Sequence, residues 1–264
     1  MLTAVKNQGR VCLLSFQYNM MREMLNKVTF LTNIGFMMLN DAAFLIQWMI
    51  LFHLKNEIGG YTIREVMLLW GLTAGSYGIS RIFFARAFAL PELIVNGKLD
   101  AYLVMPKNVL LSVITSATNP SAIGDLLYGI VVFCVFCFHP VRLLLFLFFL
   151  LTGAVIVTAY AVLLGSLAFW FVRAEAFSCH MLNGMISFGT YPDSIFEGTA
   201  RFLLYYVIPV GMAAYLPVHV MIHFDVGGLL MVTGYAAVLA AVAAAVFYRG
   251  LRRYASGSLM GARM

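Results

Sequence analysis

The residues of this sequence that could take part in chemistry are few and far apart. Asp41 and Asp125 interrupt long apolar runs, and Arg81 lies near the end of another run. A charge inside a bilayer is costly unless it faces protein or water. Such residues therefore mark either a substrate or proton path or a buried structural group. We expect Arg81 to pair with one of the two carboxylates.

Motifs for nucleotide, metal or nucleophilic chemistry are absent from the sequence. Gly97-Lys98 is followed by Leu99 and does not complete a phosphate-binding loop. The five histidines are scattered along the chain, and only His219 and His223 could share a helix face, with no nearby carboxylate except Asp225. The Cys134-x-x-Cys137 pair inside an apolar run is typical of packing. We therefore expect no catalytic residue, no cofactor and no metal in this chain, and no enzyme activity of its own.

Composition places the chain in a membrane. Of its 264 residues, 62% are hydrophobic and 11% are charged, whereas soluble domains have about half and about a quarter. Apolar runs of about 20 residues recur along the whole length, as expected for an all-α protein of spanning helices. The clearest predicted spans are Phe30–Leu54, Glu65–Phe84, Leu110–Phe138, Leu143–Val172 and Gly227–Tyr248.

The stretch between the fourth and the last span has two interpretations. In one, Phe202–Ile222 is the fifth span and Arg173–Arg201 is a loop. In the other, about Ala176–Thr190 is the fifth span and is followed by re-entrant helices on the outer face. Pro209 and Pro217 favour the second, because proline removes a backbone donor and kinks a helix. Both interpretations give six transmembrane helices in a single domain, 1–264.

Basic residues predict the orientation. With both termini inside, all but four of the 17 Lys and Arg residues fall on the inner side, and the four are Lys55, Arg64, Arg142 and Arg201. The charge therefore indicates topology and contact with anionic lipid, and no nucleic-acid binding is expected. Residues 1–29 are predicted to be a cytoplasmic region with an amphipathic interfacial helix at Phe16–Thr29, or else an inward extension of the first span. Residues 249–264 are predicted to be a cytoplasmic tail.

Small residues recur at four-residue spacing in two predicted spans. Gly71 and Gly75, with Gly78, lie in the second span, and Ala236, Ala240 and Ala244 lie in the last. This spacing permits close helix approach, either within the chain or between two chains.

A polar insert, Leu90–Asn108, separates the second and third spans and is predicted to face the cytoplasm. Pro91 is compatible with the first turn of a helix, and Gly97 is compatible with its end. The side chains expected to be exposed for a partner are Glu92, Asn96, Lys98, Asp100 and Tyr102. The whole predicted contact segment comprises Pro91, Glu92, Leu93, Asn96, Gly97, Lys98, Leu99, Asp100 and Tyr102.

The sequence resembles the ABC-2-type permease family, in particular its six-span exporter permeases of the daunorubicin and multidrug type. The resemblance rests mainly on Leu90-Pro91-Glu92-Leu93-Ile94 followed by Gly97-Lys98-Leu99-Asp100-Ala101-Tyr102-Leu103 and Pro106. Ile123-Gly124-Asp125-Leu126-Leu127 and Phe188-Gly189-Thr190-Tyr191-Pro192 add to it. Met105 stands where that family commonly has Arg.

The resemblance implies that Leu90–Asn108 is a coupling helix that docks on a separate ATPase subunit, which binds ATP and Mg. It also implies an efflux permease in the inner or plasma membrane that forms half of a pathway with a second permease, as a homodimer or heterodimer. Spans one, two and five would offer six residues to line that pathway, or to pack the spans: Phe36, Phe44, Trp48, Tyr77, Met181 and Met185. The alternatives are a secondary active transporter and a non-transporting assembly or immunity protein on the same fold.

Overall fold

The computed structural model describes residues 2–171 and 173–254, with side chains from residue 7 onward. This part of the chain is about 80% helical and contains no strand, as the sequence predicts. Val172 and most of the predicted 249–264 tail lie outside it. The helices are α1 (Leu2–Glu23), α2 (Lys27–Leu54), α3 (Ile63–Phe88), α4 (Leu90–Val95), α5 (Asp100–Leu103), α6 (Val109–Ile114), α7 (Ala122–Phe136), α8 (Pro140–Ser166), α9 (Ala174–Phe188), α10 (Gly198–Tyr206), α11 (Leu216–Ile222) and α12 (Val226–Leu251).

Helix α3 forms the centre of the fold and packs against α7 and α8. Its glycines permit this close approach. A Cβ atom added to Gly71 would lie 3.0 Å from the Gly129 carbonyl oxygen of α7, and one added to Gly78 would lie 2.8 Å from the Leu126 nitrogen. A Cβ on Gly75 would collide with the Leu150 side chain of α8. The small residues of α3 therefore serve packing within the chain.

The prediction of one continuous span over Leu110–Phe138 is wrong. The structure has a short α6, a connection at residues 115–121, and then α7. Pro120 lies in this connection and cannot continue a helix, because it lacks a backbone donor. The break is fastened on two sides: the Asn119 amide donates to the Arg81 carbonyl over 3.1 Å, and the Ser15 hydroxyl donates to the Thr115 carbonyl over 3.0 Å.

Phe202–Ile222, the fifth span of the first interpretation, is not one continuous helix, so it could cross a membrane only as a broken span. Helix α9 occupies the stretch that this interpretation assigns to a loop. The helical segments Gly198–Tyr206 and Gly211–Ile222 are bent by 73° relative to each other. Pro209 lies between these two segments and lacks a backbone donor, which accounts for a break at this point. The short helix of the alternative interpretation, about Ala176–Thr190, corresponds to α9 at Ala174–Phe188.

The N-terminal region forms a helix separate from the first span. Helix α1 ends at Glu23, and α2 begins after Asn26, whose side chain accepts a hydrogen bond from the Thr29 amide over 3.2 Å. This cap satisfies one of the unpaired donors at the start of α2. Residues 1–29 are therefore no simple inward extension of α2.

Three helices of the described chain are long and apolar enough to cross a membrane. They are α2, Pro140–Phe169 (which includes α8) and α12, and the bent pair would make a fourth if it were a single span. Helix α7 is apolar but has only 15 residues. An all-α membrane protein is confirmed, while the count of six crossings stays a prediction.

Candidate functional site

The predicted insert begins with the short helix α4, and its sequence explains where the helix ends. Gly97 has a φ of +69°, a left-handed conformation that side chains disfavour. The Gly97 amide donates to the Ile94 carbonyl over 3.3 Å, and the Lys98 amide donates to the Leu93 carbonyl over 2.9 Å. These two bonds form the motif that closes many helices at glycine. The helix therefore ends where the sequence predicts.

One side of the insert is fixed to the helical body. Leu90, Leu93, Ile94 and Leu99 are at most 3% exposed, and α4 packs against α8, α9 and the turn at Leu167–Phe169. A Cβ atom on Gly165 of α8 would lie 2.9 Å from the Leu90 Cβ. Each buried aliphatic side chain stabilises this contact by about 2 kcal/mol. The insert is therefore a docked element rather than a free loop.

The other side of the insert faces outward. Glu92, Asn96 and Lys98 are exposed, and the Lys98 ammonium lies 2.8 Å from the Glu92 carboxylate. This hydrogen bond and the positive charge hold the pKa of Glu92 below its ordinary value. These three side chains match the predicted exposure, whereas Pro91, Leu93 and Leu99 of the predicted contact segment are buried.

Asp100 and Tyr102 are half-buried, in contrast to the exposure that the sequence predicts. The Tyr102 hydroxyl donates to the Ser116 hydroxyl over 2.9 Å and so ties α5 to the chain that follows α6. Burial, together with the nearby Asp100 carboxylate, raises the pKa of Tyr254 to about 12. These two residues therefore join the insert to its own protein.

The ion pair predicted for Arg81 is wrong for the described residues. No contact within 4.0 Å joins Arg81 to Asp41 or Asp125 among the ion pairs of this part of the chain. The guanidinium lies over the rings of Tyr77 and Phe88, 5.6 and 5.4 Å from their centres. A sequence gives the depth of a residue along a helix, but the direction of its side chain depends on neighbouring helices.

Asp41 and Asp125 are both 5% exposed, and the carboxyl groups come close enough to interact directly. Gly124 makes this approach possible, because a Cβ atom there would lie 2.7 Å from the Ile34 carbonyl oxygen of α2. One oxygen of each carboxyl group, and the nearby Tyr128 hydroxyl, have no hydrogen-bond partner among the described residues. The structure thus brings two of the three predicted intramembrane residues into contact, while Arg81 forms an ion pair with neither among the described residues.

The six predicted pathway residues do not line one channel within the described chain. Phe36 is 70% exposed on α2, while Trp48 is buried beside Val132. Phe44 contacts the Trp70 ring, and Met181 is half-buried. Tyr77 and Met185 share a cavity of about 20 Å³, which is enough for about one water molecule.

Sequence reasoning missed a polar cluster around Asp193, which is 7% exposed. The Tyr61 hydroxyl donates to one carboxylate oxygen over 2.7 Å. The Arg201 guanidinium and the Tyr205 hydroxyl donate to the other over 2.8 and 2.9 Å. We call these four residues the Asp193 cluster. Tyr61 lies 132 residues from Asp193, whereas Arg201 and Tyr205 lie on α10, which follows Asp193 directly. The contribution of Tyr61 therefore leaves no local pattern, and the only signal in the sequence is a Tyr-Pro-Asp turn between apolar stretches.

Comparison with known proteins gives one match. A family model described as ABC-2 family transporter protein matches residues 38–258, which include the insert, the buried carboxyl pair and the Asp193 cluster. No curated protein and no solved structure matches the chain.

Proposed function

The chain belongs to the ABC-2 family of transporter proteins, and on that premise we propose that it is the permease subunit of an ATP-driven exporter. In this proposal a separate ATPase subunit binds ATP and Mg and docks on the insert. The permease itself carries out no catalysis and forms half of the translocation pathway. The observation that carries the proposal is the insert, which is fixed on one face and exposed on the other.

A coupling element has to transmit displacement, which requires rigid attachment to the parts that move. The insert meets this requirement through its four buried aliphatic side chains and the close contact of Leu90 with Gly165. Its exposed Glu92, Asn96 and Lys98 form a small patch that carries both charges. A patch of this kind supports recognition of a protein surface of complementary charge.

A second permease subunit is proposed because the cavity beside the predicted pathway residues is too small for a solute and the apolar face of α2 is largely uncovered. The cavity at Tyr77 and Met185 holds about one water molecule. Helix α2 buries only Asp41 and Trp48 of its 28 residues, which leaves most of its apolar surface for lipid or another chain. A homodimer or a heterodimer would both place a pathway between two subunits.

The proposed setting is the inner or plasma membrane, with six crossings and both termini in the cytoplasm. The distribution of basic residues supports this orientation, because inner segments carry most of the Lys and Arg. The bend between α10 and α11 supports an outer re-entrant pair, and α1 supports an interfacial N-terminal helix.

The proposal is tested by reversing one exposed charge of the insert. Glu92→Lys places two cations where the wild type has an ion pair, so an ATPase subunit that recognises this patch should no longer co-purify with the tagged full chain. Glu57→Lys is the matched control, because Glu57 is exposed before α3 while the insert follows α3. Equal recovery of ATP-hydrolysing activity with both variants would contradict coupling through the insert.

The secondary-transporter alternative draws on the buried Asp41 and Asp125 pair, since intramembrane carboxyl groups are common in proton and cation pathways. Proteoliposomes distinguish the two functions. An exporter of the proposed kind moves solute only when ATP and the ATPase subunit are present. Transport driven by a pH or sodium gradient alone would establish the alternative.

A further inference from the structure

An apolar cleft opens on the side of the molecule, away from the proposed pathway residues. Its walls come from α3, α6, α8 and α12, and its volume is about 350 Å³, which is within the range of small-molecule sites. We call it the alanine cleft, and it is lined by Phe84, Leu110, Leu111, Ile114, Val155, Thr158, Ala159, Val162, Ala240, Ala243, Ala244 and Tyr248, with Asn108 at one end.

The cleft exists because the third span is interrupted. Helix α6 has only six residues and packs on α3, α5 and α1, so it does not fill the space beside α8 and α12. The facing residues Ala159, Ala240 and Ala244 are too small to close the gap. Ala236 is buried against the core, whereas Ala240 and Ala244 line the cleft. Ala240 and Ala244, two of the three regularly spaced alanines of α12, thus line a cavity instead of forming a close helix contact.

A polar pocket adjoins the alanine cleft and shares Asn108 and Leu111 with it. We call it the polar mouth; its volume is about 720 Å³, and it is lined by Asn7, Gln8, Gly9, Cys12, Pro106, Lys107, Asn108 and Leu111. Among the side chains that the structure describes, from residue 7 onward, its lining contains one cation, Lys107, and no acidic group. Amide groups and a lysine ammonium are donors suited to a phosphate group.

The shape and chemistry of the two spaces match an amphiphile with an anionic head. Val155, at the rim of the alanine cleft, is 43% exposed, and Leu111, between the two spaces, is 38% exposed, so a chain from the surrounding bilayer can enter from the side. We propose that the alanine cleft and the polar mouth together bind one acidic phospholipid, with an acyl chain in the cleft and the phosphate beside Lys107.

Asn108 links the proposed lipid site to the insert. Its side-chain oxygen accepts hydrogen bonds from the Leu111 backbone amide over 3.0 Å and from the Tyr248 hydroxyl over 2.9 Å. Its backbone amide donates to the side-chain oxygen of Gln8 over 3.1 Å. One residue at the end of the insert thus joins α1, α6 and α12 at the boundary between mouth and cleft. An occupant there stabilises the arrangement in which these elements meet. In the proposed orientation this lipid would belong to the inner leaflet of the membrane, whereas the binding itself does not depend on the proposed function or orientation.

The test measures lipid retention by the purified full chain in detergent, without any ATPase. The chain is titrated with phosphatidylglycerol or phosphatidylcholine, and retained lipid is counted by native mass spectrometry. We expect one phosphatidylglycerol per chain, held about fivefold more tightly than phosphatidylcholine, because one lysine near the phosphate adds a modest attraction. Lys107→Gln should abolish this preference, while Lys55→Gln, at an exposed position after α2, should not.

Filling the cleft tests the acyl-chain position. Ala244→Phe and the milder Ala240→Leu should each weaken retention of both lipids, by about tenfold for the phenylalanine. Ala245→Phe, on the exposed face of α12, should behave as wild type. Thermal unfolding identifies any variant that fails to fold, and Ala240→Leu then decides alone.

Retention that is unchanged in the folded cleft variants would overturn the proposal. Equal binding of the two lipids would also overturn it. Displacement of the lipid by glycerol 3-phosphate at equal concentration would overturn it as well, because the acyl chain would then contribute nothing to binding. Since no ATPase takes part, a negative result here leaves the coupling function of the insert untouched.

Discussion

The insert and the Asp193 cluster fasten opposite ends of α3 by different physical means. Tyr61 of the cluster precedes α3, and Leu90 of the insert follows it, and a helix of 26 residues spans about 39 Å. The insert is held by buried aliphatic side chains and places its charges outside. The cluster buries a carboxylate and satisfies it with two donors from the following helix and one from the distant α2–α3 connection.

This difference separates a surface for a partner from a closure within the chain. Apolar docking, helped by Asp100 and Tyr102, holds the insert without using Glu92, Asn96 and Lys98, so these three side chains are left for recognition. In the Asp193 cluster both carboxylate oxygens already accept hydrogen bonds from the same chain. A buried carboxylate that loses its donors is costly, so the cluster holds the α2–α3 connection against α10 in one arrangement.

The largest expected effect concerns the aliphatic side of the insert. Ile94 is fully buried, and Ile94→Ala should lower the free energy of unfolding by about 3 kcal/mol, because it removes buried methyl groups and leaves a cavity. Thermal unfolding of the purified chain in detergent measures this. Ile195→Ala is the matched control, since Ile195 is 50% exposed at the other end. Equal losses in both variants would mean that the insert is not docked by its buried side.

The second prediction concerns the Asp193 cluster and should have a smaller effect. Asp193→Asn keeps the shape of the side chain but replaces one acceptor oxygen with a donor that faces other donors, at a cost of about 2 kcal/mol. The control is Glu197→Gln, an exposed neighbour on the same segment. If Asp193→Asn lowered the free energy of unfolding more than Ile94→Ala does, the polar cluster would stabilise the fold more than the aliphatic contact of the insert, which would contradict the prediction.

The same cluster should make stability depend on pH in the alkaline range. Burial and the hydrogen bond to Asp193 raise the pKa of Tyr61 above its ordinary value of 10.0. A raised folded pKa contributes stability that is present below the unfolded pKa and is lost as the pH rises toward the folded one. Unfolding curves measured above pH 10 should therefore show a steeper loss for the wild type than for Tyr61→Phe. Parallel curves would contradict the prediction that the raised pKa of Tyr61 makes stability depend on pH in this range.

The two regions also differ in how far the sequence predicts them. The end of α4 follows from one residue, because Gly97 alone supplies the left-handed conformation, and α2 and α12 lie within three residues of their predicted bounds because their apolar runs are long. The break before α7 falls in residues 115–121, a short polar stretch that contains Pro120, but the long apolar runs on both sides favour a single span in a sequence-based prediction. The Asp193 cluster requires Tyr61, Asp193 and Arg201 to meet across the fold, and no local periodicity contains that information.

The direction of a side chain is the second limit of the sequence. Arg81 is predicted to pair with Asp41 or Asp125, yet it turns toward the Tyr77 and Phe88 rings, and the two carboxyl groups face each other. Likewise, Asp100 carries the same charge as Glu92 but is half-buried, whereas Glu92 is exposed. Polarity predicts that a side chain needs a partner, while the neighbouring helices decide whether that partner is water, another protein or the same chain.

The smallest effect on stability is expected for the exposed Glu92–Lys98 pair of the insert, and this prediction separates a role in recognition from a role in stability. Lys98→Gln removes a surface ion pair, which contributes less than about 0.5 kcal/mol. The pKa of Glu92 is lowered from its ordinary value of 4.5, so its small contribution is present above that pH and is lost as the pH falls further. Unfolding of Lys98→Gln and wild type should therefore coincide at pH 7, whereas recovery of the ATPase subunit with the tagged variant should fall. Lys55→Gln should change neither quantity. A destabilised Lys98→Gln with full ATPase recovery would mean that the exposed pair serves the fold and that the recognition surface lies elsewhere on the chain.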